Sequence, residues 1–139
     1  MDEKLREKVA EIVVADPRYA ADAYEFISDA VNYTSRKLNR ARERDQSKRH
    51  ISARELLNGI SEYAVQEFGP MAGEVLKSWG LTDANSIGNV VFNMVSNKLL
   101  RANEKDSIND FSIDYNFDEA LAKPFAHKKN KPYNPPIIA

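Results

Sequence analysis

The sequence predicts a mainly α-helical fold of about five helices, completed by one C-terminal β-hairpin. Before residue 98, apolar residues recur at every third or fourth position, as they do on the buried face of a helix. At positions 111–117 the pattern changes to FSIDYNF, in which apolar and polar residues alternate. Alternation with a period of two is typical of a half-buried strand. Together the two patterns predict helices that are covered by a hairpin.

The composition is that of an ordinary globular chain of one-domain size. The chain has 139 residues, of which 42% are hydrophobic and 29% are charged, and its formal net charge is −1. Such a balance gives no overall attraction to nucleic acid or to anionic lipid. The absence of cysteine excludes disulfides, thiol catalysis and thiolate metal sites, and it suits a reducing cytoplasm. No apolar run approaches the ~20 residues of a membrane helix, so we expect a cytoplasmic protein without a membrane partner.

The first two helices are predicted on either side of Asp16-Pro17. Apolar residues from Leu5 to Val13 mark one face of the first helix. This helix should end before Pro17, because a residue that precedes proline is pushed out of the helical region. Pro17 then suits the first turn of the second helix, with Asp16 as its N-cap. The second helix has the strongest amphipathic pattern in the chain, carried by Tyr19, Ala23, Phe26, Ile27, Ala30, Val31, Thr34 and Leu38.

Local start and stop signals define three further helices. Ser52 and Glu55 have the spacing of a capping box, in which the side chain of each residue bonds the backbone of the other, so a third helix should begin after Ser52. A short fourth helix should end at Gly80, because glycine commonly terminates helices. A fifth helix follows, and either Thr82 or Ser86 is suitable as its cap.

Gly59 lies inside the predicted third helix and Gly88 inside the predicted fifth. Glycine in a helix costs about 1 kcal/mol relative to alanine, so a helical glycine usually has a structural reason. We therefore expect each of them to allow a neighbouring element to pack closely.

The hairpin is predicted at about 99–117. LLRANE is its first strand, EKDSIND its turn and FSIDYNF its second strand. An isolated hairpin is only marginally stable in water, so its apolar face should cover the helices. Helices followed by two strands would also fit a winged-helix arrangement, which by itself defines no function. We expect a single domain over 1–125, with Phe111, Ile113, Tyr115 and Phe117 closing its core, and an extended tail rich in proline and lysine over 126–139.

Four segments together resemble an uncharacterised bacterial protein family that occurs mainly in planctomycetes and verrucomicrobia. The segments extend from Asp16 to Leu121 and read DPRYAADAYEFISDAV, HISARELLNGISEYAVQEFGPMA, LKSWGLTDANSIGNVVFNMV and KDSINDFSIDYNFDEAL. The family has no assigned activity, so the resemblance implies one compact domain and no catalytic residue. The basic segment near Arg40 and the tail after Phe125 lie outside the shared pattern.

The first candidate binding surface is the basic segment at 36–49. Seven cations and two carboxylates give this segment a local net charge of +5. If the second helix continues through it, Arg36, Arg40 and Arg44 form one stripe at i, i+4 and i+8, which suits a phosphate backbone. The alternative is a solvated helix end, where cations also favour the C-terminal dipole. The candidate residues are Arg36, Lys37, Arg40, Arg44, Lys48 and Arg49.

The second candidate binding surface is the C-terminal tail. Lysines and prolines surround Tyr133 there, and two isoleucines follow. A basic chain that is stiffened by proline can bind along RNA or in a partner's groove at a low entropic cost. The alternative is a frayed terminus, or one that folds back on its own domain. The candidate residues are Lys128, Lys129, Lys131 and Tyr133.

Neither a metal site nor a catalytic site is predicted. Six carboxylates and one lysine around the hairpin give a net charge of −5, but their spacing differs from that of an EF-hand loop. This acidic cluster could instead attract the basic segment. His50 and His127 share no ligand spacing with carboxylates, and we interpret His50 as part of a helix start. No nucleophile elbow, phosphate loop, dinucleotide fingerprint or zinc-protease motif occurs, and no cofactor or small-molecule ligand is indicated.

The sequence therefore favours a non-catalytic cytoplasmic adaptor that binds a protein or ribonucleoprotein partner through the basic segment and the tail. The alternative is binding of RNA or the ribosome by a winged-helix-like domain. Asn89, Asn93 and Asn97 would be exposed on the fifth helix; they can read adenine, but they lack flanking cations. A third hypothesis, an enzyme with an unrecognised site, requires a pocket lined by convergent polar groups.

Overall fold

The computed structural model describes residues 3–40, 44, 50–103, 105–125 and 135–137. Its α-helices are α1 (Glu3–Ala15), α2 (Ala21–Lys37), α3 (Ala53–Phe68), α4 (Ala72–Ser78), α5 (Ala84–Ser96) and α6 (Phe117–Ala122). Short 3₁₀ turns occur at Gly69–Met71, Ile108–Phe111 and Lys123–Phe125. The predicted helical character of the chain is confirmed.

The sequence predicts that α2 starts at Pro17 with Asp16 as its N-cap, and this prediction is wrong. α2 begins only at Ala21, after a turn. The carboxylate of Asp16 does not cap a helix but accepts hydrogen bonds from the backbone nitrogen and the guanidinium group of Arg18. Tyr19 is buried in the core before α2 starts. A local side-chain bond thus replaces the predicted helix start with a turn.

The predicted capping box at the start of α3 is confirmed. The Oγ atom of Ser52 accepts a hydrogen bond from the backbone nitrogen of Glu55 at 3.1 Å, and the Glu55 carboxylate accepts one from the backbone nitrogen of Ser52 at 3.0 Å. These bonds satisfy donors that have no acceptor within the helix. The cap of α5 is Asp83, and neither Thr82 nor Ser86 takes that role.

The predicted β-hairpin at 99–117 is wrong, and so is the winged-helix arrangement that depends on it. None of the residues that the structure describes, including 99–103 and 105–117, belongs to a β-strand. Ile108–Phe111 is a 3₁₀ turn, the chain that follows is irregular, and α6 begins at Phe117. The last helical turn that the sequence indicates corresponds to α6.

Local hydrogen bonds explain why this segment forms turns. The carboxylate of Asp110 accepts from the backbone nitrogen of Ser107 at 3.0 Å, and the hydroxyl of Ser107 accepts from the backbone nitrogen of Asn109 at 3.2 Å. Asn116 caps α6 in the same way, by accepting from the backbone nitrogen of Glu119 at 3.0 Å. Backbone donors that are satisfied by nearby side chains are not available to a neighbouring strand.

The alternating burial that suggests a strand is nevertheless present. The side chains that face the core are Phe111, Ile113, Tyr115 and Phe117, and the residues between them are exposed. The hydroxyl of Tyr115 also donates a hydrogen bond to Asn58 Oδ1 of α3 at 3.0 Å. An extended chain that crosses the helices therefore has the burial pattern of a strand without a strand partner.

Gly59 and Gly88 both allow the close packing that the sequence predicts for them. A Cβ atom added at Gly59 would lie 1.8 Å from Oγ1 of Thr34, which is buried on α2. A Cβ atom added at Gly88 would lie 2.7 Å from the Cβ of Phe111. Such separations exclude any larger residue without a local shift. α2 therefore packs closely on α3, and the 3₁₀ turn packs closely on α5.

Each of the described α-helices contributes buried apolar side chains to one core. Phe26, Phe68 and Trp79 form a ring cluster whose centroids are 5.6 to 5.8 Å apart. Among these helices, none combines the length and the apolar character that crossing a membrane requires.

Replacing Gly59 with alanine should destabilise the fold. The new methyl group would collide with the Thr34 hydroxyl, and overpacking of this kind typically costs about 1–3 kcal/mol. Urea unfolding of the Gly59→Ala variant measures this loss. Gly73→Ala is a matched control, because its nearest neighbour would be Leu121 Cδ1 at 3.8 Å, an ordinary contact. The control should be neutral or stabilising by up to about 1 kcal/mol. Equal stability of the two variants would contradict the packing argument.

Candidate functional site

The basic segment does not form the predicted stripe. α2 ends at Lys37, and Asn39 adopts a left-handed conformation with a φ angle of 57°, which terminates the helix. Arg36 therefore lies on α2, whereas Arg40 and Arg44 lie beyond its end. The described part of the segment does not present its arginines along one helical face.

The charge of the basic segment is partly neutralised by α3. Lys37 forms an ion pair with Glu62, and the hydrogen bond between them raises the pKa of Lys37. Tyr33 also donates a hydrogen bond to Glu62 at 3.4 Å. Arg36 and Arg44 are exposed and form no ion pair with any described residue. In this part of the chain, α3 and not the acidic cluster supplies the counter-charges.

Arg40 has a structural role within the domain. Its guanidinium group contacts the two carboxylate oxygens of Glu55, at 2.9 and 3.3 Å, and donates to the carbonyl oxygen of His50 at 2.6 Å. The pKa of Glu55 lies below its usual value because the carboxylate accepts from the backbone of Ser52 and pairs with Arg40. Arg40 thus fixes the chain at His50 and the start of α3.

Six predicted binding residues lie outside the described residues, namely Lys48, Arg49, Lys128, Lys129, Lys131 and Tyr133. Their role in binding a partner stays a prediction. The described part of the tail, residues 135–137, is exposed.

The structure does not present Asn89, Asn93 and Asn97 as an exposed surface for contacting nucleic-acid bases. Asn89 donates to the hydroxyl of Tyr19 at 2.8 Å. Asn93 donates to Asp16 Oδ2 and to the hydroxyl of Tyr24, each at 3.0 Å. Asn97, just beyond the helix, donates to a backbone carbonyl of α5 at 2.8 Å. The amides of Asn89 and Asn93 thus connect α5 to the start of the fold, and that of Asn97 bonds α5 itself, so all three already have hydrogen-bond partners.

A cavity of about 260 Å³ lies where α2, the start of α3 and the second half of α5 meet the chain at 100–111. Small-molecule pockets are typically concave, mainly apolar and supplied with a few polar groups that orient the ligand. The apolar residues of this cavity are Val31, Ile51, Ala53, Leu56, Val91, Phe92, Val95, Leu100, Ala102 and Phe111. Its polar residues are Asn32, Ser35, His50, Arg101, Asp106 and Asp110.

His50 and Asp106 form a short side-chain contact at this cavity. His50 Nε2 lies 2.6 Å from Asp106 Oδ1, and the two side chains are 38% and 22% exposed. Because an ionised carboxylate only accepts hydrogen bonds, this contact assigns a proton to Nε2. In the neutral ring, Nδ1 then carries a lone pair and acts as an acceptor. The pair therefore joins the start of α3 to the chain that follows α5.

Local turns hold the two carboxylates of the cavity in place. Asp106 Oδ2 accepts from the backbone nitrogen of Asn103 at 2.7 Å, and the backbone nitrogen of Asp106 donates back to the Asn103 carbonyl at 2.9 Å. Asp110 is fixed by its bond to Ser107. His50 is held through its own carbonyl oxygen. His50, Asp106 and Asp110 thus each have a backbone position that is fixed by hydrogen bonds.

Sequence reasoning missed this cavity. It treats His50 as part of a helix start and Asp106 as surface charge, because 56 positions separate them and no fixed spacing connects them. One local signal was available in the segment SIND at 107–110, whose first and last residues have the spacing of a capping box. That spacing indicates a helical turn, which brings Asp110 to the cavity.

Within the described part of the chain, no three His, Asp or Glu side chains are placed to hold a metal ion.

Comparisons with protein-family models, curated proteins and solved structures find no match. The family resemblance of the sequence stays a prediction, and the chemistry of the cavity has to be argued from its geometry.

Asp16 should make the stability of the fold depend on pH in the acidic range. Hydrogen bonds from Arg18 and then from Asn93 hold the pKa of Asp16 well below its usual range. In the unfolded chain the pKa of an aspartate is about 4. The lowered pKa in the folded state therefore stabilises the fold at pH values above about 4, and this contribution is lost as the pH falls below that value. Because water screens the exposed Arg18, we expect Asp16→Asn to cost only about 1 kcal/mol at neutral pH.

Urea unfolding of the wild type and Asp16→Asn at neutral and acidic pH measures this effect. The difference in the free energy of unfolding should shrink as the pH falls below about 4. Asp114→Asn is the control, since Asp114 is exposed and has no hydrogen bond to a described residue. A difference that does not change with pH would refute the assigned role.

Proposed function

We propose that the domain binds a small molecule in the cavity beside His50 and Asp106. The observation that supports this proposal most directly is the combination of apolar walls and grouped polar side chains around one space. Burial of a ligand's apolar part would supply affinity, and the polar groups would fix its orientation. The sequence alone indicates no such ligand because the walls come from separate segments of the chain. A non-catalytic, cytoplasmic role remains part of the proposal.

The size of the cavity limits the ligand. An apolar cavity of about 150 Å³ accommodates benzene, so a cavity of 260 Å³ has room for roughly ten non-hydrogen atoms. A ligand of this size gains limited affinity from burial alone, and a dissociation constant of about 1 mM is a realistic value for a simple probe. The natural ligand would combine one apolar body with one polar end.

Phenethyl alcohol is a suitable probe, since it has an apolar ring and one hydroxyl group. Titration of isotope-labelled protein, followed by NMR, should shift signals of the residues that line the cavity. Ala53→Phe places a ring at the cavity wall, and it should weaken binding at least about tenfold, which corresponds to 1.4 kcal/mol. Circular dichroism of the variant tests whether its helices are retained.

Ala21→Phe is the matched control for this experiment. Ala21 and Ala53 are each the first residue of their helix, but only Ala53 lines the cavity. The control should bind the probe as the wild type does. Unchanged binding by a folded Ala53→Phe variant, or shifts confined to residues far from the cavity, would refute the proposal.

A second candidate function is binding of a macromolecular partner through the basic segment and the tail. The observation that favours it is the exposure of Arg36 and Arg44, which are not engaged by any described acidic residue. We propose a protein or ribonucleoprotein partner, with direct RNA binding as the alternative. Lys37 and Arg40 contribute less to this surface than the sequence suggests, because α3 already pairs with them.

If RNA is the partner, charge reversal should separate the exposed arginines from the rest of the surface. Arg36→Glu and Arg44→Glu should each weaken the binding of single-stranded RNA in a gel shift at low salt. Each should also reduce the slope of log affinity against log salt concentration by the amount expected for about one phosphate contact. Arg54→Glu makes the same change in charge at an exposed position of α3 and is the control. No shift of the wild-type chain at low salt would exclude RNA binding.

A further inference from the structure

We propose that the cavity beside His50 and Asp106 selects a small apolar amine, so that the polar end of the ligand is a cation that donates hydrogen bonds. This inference rests on the proposed function, because it names the ligand class of the same cavity. It is based on two properties of the polar lining: the excess of carboxylates over cations, and the position of an acceptor atom of Asp110 that has no described partner.

Negative charge predominates among the polar residues of the cavity. Asp106 and Asp110 contribute two carboxylates, whereas Arg101 is the one cation among the described lining residues. With a neutral His50, the lining therefore has a net charge of −1. An ammonium group gains from this field and a carboxylate loses, although water screens both effects where the groups are exposed.

Asp110 supplies the carboxylate oxygen that an ammonium group would contact. Its Oδ2 atom accepts from the backbone nitrogen of Ser107 at 3.0 Å, whereas Oδ1 has no hydrogen bond to a described residue. The next residue, Phe111, is buried and lines the apolar wall. The Asp110 backbone therefore stands at the boundary between the apolar wall and solvent, which is where the charged end of an amphipathic ligand would lie.

His50 adds a second acceptor. Its Nε2 atom donates to Asp106, so Nδ1 of the neutral ring carries a lone pair. Nδ1 has no hydrogen bond to a described residue. In this tautomer His50 offers an acceptor atom to a ligand, as Asp110 Oδ1 does, and both match a ligand that donates.

An anionic ligand would find fewer partners here. Arg101 is the one cation among the described lining residues, and water screens its attraction for an anion as it screens that of the equally exposed Asp110 for a cation. α3 begins beside the cavity at Ala53, but the backbone nitrogen of Glu55 in its first turn is already bonded to Ser52. The start of this helix therefore offers an anion less than a free helix end would offer.

Three probes with the same ring test the ligand class on the full chain. Phenethylamine is a cation, hydrocinnamate an anion and phenethyl alcohol is neutral, and NMR titration gives a dissociation constant for each. At neutral pH and low salt we expect phenethylamine to bind about tenfold more tightly than hydrocinnamate. This ratio should fall as salt is added, because the preference is electrostatic.

Asp110→Asn tests the residue that the proposal singles out. Asparagine retains an acceptor oxygen for the Ser107 backbone, so the turn can be preserved while the charge is removed. The variant should reduce the ratio of amine to carboxylate affinity about threefold, as expected for an exposed pair. Asp114→Asn removes the same charge from an exposed residue that does not line the cavity, and it should leave the ratio unchanged.

The outcomes separate the ligand class from the proposed function. Hydrocinnamate binding as tightly as phenethylamine, while phenethyl alcohol still shifts the lining residues, would overturn the amine and leave the small-molecule function in place. If none of the three probes shifted those residues, both proposals would be wrong. An affinity ratio that responds equally to Asp110→Asn and Asp114→Asn would remove Asp110 from the site.

Discussion

The contact between Thr34 of α2 and Gly59 of α3 is the constraint on which the rest of the fold depends. The Thr34 hydroxyl donates to the Ala30 carbonyl at 2.7 Å, so it is satisfied within its own helix and can pack against a glycine. Because this contact leaves no room for a Cβ atom at Gly59, it sets the separation of the two helices. The cavity residues within one turn of it are Val31, Asn32, Ser35 and Leu56. Any change in helix separation would therefore alter the cavity as well as the core.

Arg40 extends this constraint from the helix pair to the polar groups of the cavity. It binds Glu55 at the start of α3 and the carbonyl oxygen of His50 with one guanidinium group. A substitution at Arg40 would therefore disturb the helix start and the position of His50 together. Loss of partner binding in such a variant would not identify a contact surface. Arg36 and Arg44 have no such internal role among the described residues, so they distinguish an external surface from structural support.

The sequence predicts those parts of the fold that are determined by neighbours within three or four residues. The capping box at Ser52 is of this kind and is predicted, whereas the turn at Ser107 and the cap at Asn116 have equally local spacing but are not predicted. The hairpin prediction is wrong because it gives the alternation of buried residues more weight than these turn signals. The contact between His50 and Asp106 cannot be predicted in this way, since 56 positions separate the two residues. Only the packed helices bring them together.

The local bonding that replaces a hairpin also makes a binding site possible at this position. In a hairpin, the backbone groups of 99–117 would have to pair with each other across two strands. In the observed turns, Asp106 and Asp110 each use one carboxylate oxygen to satisfy the backbone nitrogen three residues earlier. The second oxygen of Asp106 bonds His50, while that of Asp110 has no described partner and belongs to the residue before the buried Phe111. The turn uses a side-chain acceptor at this position whether or not a ligand binds. The fold therefore positions this acceptor without an additional buried charge.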